Sequence, residues 1–192
     1  NLAVGVAHWT TPTTDAKRRA LADYGEFDGE PELLDALRAK LSNDGIDMRR
    51  REVLVTPGSN QAFVQALLVL CDAGDQVALF RPYYFSHLAA LRLCGLEPLV
   101  LDCDASGEPS AEALRGALRR RGHRVRACVV TSPSNPSGVV CSAGTARELA
   151  RVCADSGSWL LSDEAYEHFV HDGAQHASLA AGGGRAHVIP LF

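Results

Sequence analysis

The sequence predicts an α/β fold, a three-layer α/β/α sandwich around a mostly parallel sheet. Three observations predict it. Short β-rich apolar runs alternate with stretches of helical period along the chain. The connections between them are short. Glycines or N-capping hydroxyls stand where a helix has to stop or start.

In order, "REVLVT" (51–56) reads as the first strand. "SNQAFVQALLVLCDA" (59–73) has helical period, with Gly74 expected as its C′ stop. "QVALF" (76–80) is the next strand, and "YFSHLAALRLC" (84–94) a helix ended by Gly95. "LEPLVLD" (96–102) is a strand. "SAEALRGALRR" (110–120) carries Ser110 at the N-cap and apolar residues at helical spacing. "VRACVVT" (125–131) is strand-like, and "SAGTARELARVCADSG" (142–157) a helix starting near Ser142. "WLLSD" (159–163) follows as a strand, and "AHVIPLF" (186–192) begins one more. "AAGGGR" (180–185) is a flexible loop rather than a domain linker, since a strand follows at once.

With 192 residues the chain can bury a real core in about one domain. A formal net charge of -4 argues against a general nucleic-acid or membrane-surface role. No apolar stretch is long enough to span a bilayer, and no charged-then-apolar leader opens the chain. Cys71, Cys94, Cys103, Cys128, Cys141 and Cys153 are scattered without a CxxC pair. That pattern reads as small core residues in a reducing compartment such as the cytoplasm, not as a disulfide or zinc framework. The first residue is Asn, so the natural start is expected upstream.

Ligands of such sheets sit at the C-terminal ends of the strands. Four stretches share that rim: "TPGSNQ", "RPYY", "TSPSNPSG" and "SDEAY". The first runs through a Gly58 turn into a helix starting at Ser59, Asn60 and Gln61, whose unpaired N–H groups suit a phosphate. Ser59 as a plain N-cap explains the same residues, and neither GxGxxG nor GxxxxGKS is present. In the third, Pro133 and Pro136 bracket Ser134 and Asn135, and Gly138 permits a tight turn. That stretch is either a bare turn or a rigid mount for the Asn135 amide.

"LLSDEAYEHF" (160–169) is the most demanding stretch. It ends a buried strand on Asp163, with Glu164 and Tyr166 just behind. A buried carboxylate needs a positive partner or several donors. A helix-cap role satisfies that need; so does a cationic ligand atom such as a protonated ring nitrogen, with the Tyr166 hydroxyl reaching the same ring. No Arg or Lys nearby in the segment is an obvious mate.

The ordered set "GSNQA", "PYY", "SNPSG" and "SDEAY" resembles the class I/II aminotransferases that use pyridoxal 5′-phosphate, from "NLAVGV" through to "HVIPLF". The resemblance implies the partial large, cofactor-binding domain of the aspartate-aminotransferase-like fold over residues 1–192, without the N-terminal arm and the C-terminal small domain. It implies amino transfer between an amino acid and a 2-oxo acid, in a homodimer. Gly58, Ser59 and Asn60 then cradle the phosphate, and Tyr84 stacks on the pyridine ring. Asn135 bonds the ring's 3′-oxygen and the substrate carboxylate side, Asp163 pairs with the ring nitrogen, and Tyr166 bonds the 3′-oxygen. Tyr24 reaches the partner's phosphate across the dimer. Gly5 lies near the substrate carboxylate, with His8 and Trp9 lining the pocket or packing beneath it.

The family also uses a Schiff-base lysine in an SxSK-like sequence, expected a few residues beyond Phe192; Lys17 and Lys40 match neither its place nor its setting. The fragment alone is therefore expected to be inactive. Two alternatives share the scaffold: another lyase or decarboxylase reaction of the same cofactor, and a lysine-less binding protein. His168, His171 and His176 are expected in a solvated loop rather than at a metal. The basic runs 119–126 and 48–52 are expected as solvated faces.

Overall fold

A computed structural model of the chain describes residues 27–121, 124–181 and 187–192. Five strands form one sheet: β1 (Gln76–Arg81), β2 (Glu97–Asp102), β3 (Val125–Thr131), β4 (Trp159–Asp163) and β5 (Val188–Leu191). Their order is β2-β1-β3-β4-β5, and every pairing is parallel. Five α-helices accompany them: α1 (Pro31–Asn43), α2 (Ser59–Leu70), α3 (Phe85–Leu93), α4 (Ala111–Arg121) and α5 (Ala143–Ser156).

Strand alternation sorts the core into two layers. Val77, Leu79, Ala127, Val129 and Leu161 face one way and pack with Phe63 and Leu67 of α2 and Leu91 of α3. Ala78, Phe80, Cys128, Val130 and Leu160 face the other way, onto Leu114 and Leu118 of α4 and Leu149, Val152 and Cys153 of α5. The expected three layers are therefore present. All six cysteines are free; Cys128, Cys141 and Cys153 are buried core residues.

Local signals explain most boundaries. Ser142 Oγ accepts from the Thr145 N–H at 3.2 Å and starts α5. Gly157, at φ 72°, ends it in the left-handed region that glycine enters without Cβ strain. Ser110 caps α4 in the same way, its Oγ accepting from Ala113 N.

Two boundaries differ from the sequence reading. The stretch 51–56 is extended but joins no strand among the described residues. A strand is defined by its ladder, and here, among the described residues, only the Arg51 N–H, to Met48 O at 3.3 Å, and the Val55 N–H, to Asp28 O at 2.8 Å, are engaged. Helix α2 ends at Leu70, so Gly74 is not its C′ residue. The backbone turns at Cys71, and the Asp75 carboxylate captures the Asp72 N–H, which a continuing helix would need. Gly74 then donates to Gly95 O, tying the β1 and β2 entrances together.

Of the basic runs, Arg119, Arg120, Arg124 and Arg126 are exposed, as expected of a solvated face. Arg51 departs from that expectation. Its guanidinium donates to the Val188 carbonyl at 2.7 Å, at a partly buried position on the edge of β5.

Candidate active site

The strand order sets where a site can lie. From β1 the chain moves outward to β2, whereas β3, β4 and β5 proceed in the opposite direction, so the topological switch falls between β1 and β3. Of the described candidates, Tyr84 follows β1 just before α3, Asn135 follows β3, Asp163 closes β4 and Tyr166 lies in the turn behind it, whereas Gly58, Ser59 and Asn60 stand at the start of α2, which no described strand precedes. Gly5, Tyr24, His8 and Trp9 lie outside the described residues.

Asp163 is 6% exposed. It shares the strand parity of Leu161 and so faces the α2–α3 layer. There its Oδ2 meets His87 Nε2 at 2.9 Å, and Oδ1 accepts from the Ala165 N–H at 3.3 Å. His87, on α3, is 2% exposed, with its ring 4.4 Å from that of Phe63 and 5.3 Å, edge-on, from that of Tyr84. A carboxylate only accepts hydrogen bonds, so Nε2 carries the shared proton. The sequence reading looked for an Arg or Lys beside Asp163 in its own segment and missed His87. The missed signal is periodicity: on α3, His87 shares a helix face with Leu91, which belongs to the core.

Glu164 has the opposite parity and faces the other layer, fully buried. It accepts from Ser162 Oγ, Ser178 Oγ and the Leu179 N–H, and pairs with His176 Nε2 at 3.1 Å. This corrects the reading of His176 as solvated, since its side chain is 10% exposed and bound to a buried carboxylate. His168 and His171 are exposed, as expected.

Behind Tyr166, Glu167 receives the Lys40 ammonium at 2.8 Å, and the same ammonium meets Asp44 at 2.7 Å. Partial burial alone lowers the Lys40 pKa, but the two carboxylates outweigh it and hold the ammonium above its ordinary value. The charge also sits 4.8 Å over the Phe192 ring. Helix α1 is thereby tied to both the β4 turn and the end of β5.

At the start of α2, Gly58 holds the N-cap position at φ 88°, and no side chain caps the helix. Ser59 is thus the first helical residue and not the N-cap. The Ser59 and Asn60 N–H groups have no partner among the described residues, which leaves them pointing from the positive end of a 12-residue helix. After β3, the turn is closed by Ser134 N to Val139 O at 2.9 Å and Gly138 N to Ser134 O at 2.7 Å. Ser132 Oγ, accepting from Cys141 N, fixes its base. Asn135 is half-buried there, and its amide has no hydrogen-bond partner among the described residues. A cavity of about 30 Å³ lies under this turn, between Pro82, Tyr83, His87, Thr131 and Cys141.

These groups make up a set: a buried carboxylate with a histidine behind it, helix-end N–H donors, a free amide, and the hydroxyls of two aromatic side chains. Such a set offers helix-end donors to an anion and a buried carboxylate to a positive group. Among the described residues, no group of three His, Cys, Asp or Glu residues could hold a metal, and no helix is long and apolar enough to cross a membrane.

Comparison with known proteins agrees. The family model "Aminotransferase class I and II" matches residues 5–189, and the chain belongs to that family, which works with pyridoxal 5′-phosphate. It is 33% identical over 201 residues to the aromatic aminotransferase ISS1 of Arabidopsis thaliana, spanning 100% of this chain and 50% of that protein. It is 35% identical over 170 residues to an aspartate aminotransferase of Rhizobium meliloti, covering 86% of this chain and 41% of the relative. The structure of N-succinyldiaminopimelate aminotransferase from Mycobacterium tuberculosis matches with a TM-score of 0.77 at 32% identity, over 88% of this chain and 45% of that one. The chain spans about half the length of the curated relatives it matches.

Proposed function

We propose that the complete protein is a pyridoxal 5′-phosphate-dependent aminotransferase that moves an amino group between an amino acid and a 2-oxo acid. The observation that carries this reading is Asp163, a buried carboxylate at the end of β4 backed by His87. The residues on the rim fit the cofactor: Asp163 offers an anion to a ring nitrogen, and the Ser59 and Asn60 N–H groups offer unpaired donors to a phosphate.

When bound, the cofactor supplies an electron sink for the pair released as the substrate's Cα–H bond breaks. The chain's own groups have distinct tasks in this reading. Asp163 holds a proton on the ring nitrogen, because an opposite charge nearby favours the charged form. His87 fixes the carboxylate's second oxygen, so that Asp163 cannot turn away. Tyr84 covers the ring face, while Tyr166 and Asn135 bond the ring's 3′-oxygen. Gly58, Ser59 and Asn60 take the phosphate, joined across a homodimer by the partner's Tyr24. Gly5 and Asn135 address the substrate carboxylate. The proton shuttle at Cα requires a lysine. Lys40 is unsuited to that task, since Asp44 and Glu167 hold its ammonium. The reading therefore gives the shuttle to a lysine other than Lys40 in the complete protein, and separately it takes the protein to be cytoplasmic.

The test uses the complete protein with a panel of amino acids, with and without 2-oxoglutarate. Amino transfer that depends on the oxo acid and is lost in Asp163→Ala supports the reading. Products released without an oxo acid favour a lyase or decarboxylase on the same scaffold. Undiminished turnover in Asp163→Ala sinks the role given to Asp163.

A further inference from the structure

Glu164 is fully buried, yet its parity points it away from the face that Asp163 and His87 occupy. It is not placed to touch a ligand on that face, and the proposed chemistry gives it no task. Its partners make it a junction. Oε1 accepts from Ser162 Oγ at 2.6 Å, Ser178 Oγ at 2.9 Å and Leu179 N at 3.1 Å. Oε2 meets His176 Nε2 at 3.1 Å. A carboxylate has about four acceptor sites, so four donors nearly saturate it. The Glu164 N–H donates to Leu191 O at 2.7 Å, which locks β4 to the end of β5.

Consider what this junction holds. The Glu164 carbonyl accepts from Glu167 N at 2.9 Å, closing the turn that carries Tyr166. Among the described residues, the Ala165 N–H, in the same turn, is the only donor besides His87 that reaches the Asp163 carboxylate. Its bond is long, 3.3 Å, so a small movement of the turn breaks it. Both Asp163 and Tyr166 therefore take their positions from a backbone whose anchor is Glu164. The anchor extends to the segment 176–179, twelve to fifteen residues further along the chain.

We infer that Glu164 is a positioning residue: with Ser162, Ser178, Leu179 and His176 it sets the β4 turn so that Asp163 and Tyr166 meet the cofactor together. The inference rests on the proposed function and deepens it. Its consequence is specific. A loosened turn moves the Asp163 carboxylate off the ring nitrogen, so that nitrogen loses its proton at lower pH. Cofactor affinity falls along with it.

The experiment takes the complete protein as wild type, Glu164→Gln, Ser178→Ala and Val152→Ala. Val152 is a buried core residue in the second half of α5, towards the end of the sheet away from the rim, and serves as a stability control. Three quantities are read: the Kd for pyridoxal 5′-phosphate, the ring-nitrogen titration by ¹⁵N NMR with labelled cofactor, and the thermal midpoint. Glu164→Gln keeps the side-chain size but replaces an acceptor with a donor amid four donors. It is expected to raise Kd about ten- to a hundredfold, the range for losing an outer hydrogen-bonded support, and to move the nitrogen titration down. Ser178→Ala removes one donor and leaves the charge, so the protein stays folded if Glu164→Gln does not. It is expected to raise Kd about fivefold. Val152→Ala is expected to lower the thermal midpoint with Kd and titration unchanged.

Wild-type Kd and titration in both Glu164→Gln and Ser178→Ala overturn the inference alone. So does a Kd loss that Val152→Ala reproduces at the same thermal midpoint. A complete wild-type protein that does not bind the cofactor overturns the proposed function, and the inference with it.

Discussion

The His87–Asp163 pair permits a quantitative test that needs no cofactor. Both groups are buried and their bond is 2.9 Å long. Replacing His87 by Leu keeps apolar volume against Phe63 but leaves Asp163 with one long bond, from Ala165 N. Stranding a buried carboxylate costs about 3 kcal/mol, at the boundary between a lost neutral bond and a broken buried ion pair. Asp163→Leu strands the less demanding imidazole and costs about 2 kcal/mol. If these were independent, the double variant would lose about 5 kcal/mol. Because each single change carries the cost of orphaning the other group, the double variant is expected to lose only about 2 kcal/mol, a coupling of about 3 kcal/mol. The assay is urea unfolding of the cofactor-free complete protein, followed on the transition of this domain, with the slope compared across the set. Losses that add to within about 0.5 kcal/mol would refute the reasoning, for the two groups would then not be partners in solution.

Three further outcomes are expected. Burial, with the Glu108 and Glu164 charges adding to it, pushes the Cys141 thiol from 9.0 up to about 12. Folding thus retains a proton that the unfolded chain gives up above pH 9.0, so stability is fully present below that pH and falls as pH rises towards 12. Cys141→Ala should flatten the decline between pH 9 and 10 by about 1 kcal/mol, read from unfolding curves at each pH. Ser142→Ala removes the α5 cap and should cost about 1 kcal/mol in the same assay. Lys40→Met should cost about 1 kcal/mol or less, since the ammonium is part-exposed, but should speed proteolysis in the 166–172 segment that Glu167 anchors.

Much of the fold was legible because its signals are local. Strands β3 and β4 coincide with the apolar runs "VRACVVT" and "WLLSD", and α5 with its Ser142 and Gly157 caps. The errors arose where a partner far along the chain decides. Residues 51–56 have strand composition, but composition cannot supply the ladder; among their outward contacts is the Arg51 bond to Val188, 137 residues away. The end of α2 was misplaced because Gly74 resembles a stop, whereas Asp75 captures the backbone three residues earlier.

The site divides in the same manner. That Tyr84, Asn135 and Asp163 stand on the rim followed from strand ends, since a parallel sheet brings every C-terminal end to one side; Gly58, Ser59 and Asn60 follow no strand. What holds them did not. Asp163 and Glu164 are neighbours in sequence, yet pleating sends one to His87 of α3 and the other to Ser178 and His176. The rule that placed Leu160 and Leu161 in different layers thus separates two carboxylates that read from sequence as one acidic pair. One carboxylate is left with a histidine and a long bond, open to one further positive partner. The other is saturated and closed. A sequence rule that treats "DE" as one acidic unit misses this, whereas the period of two, applied through the end of β4, sends the first to the face of His87 and the second to the opposite face.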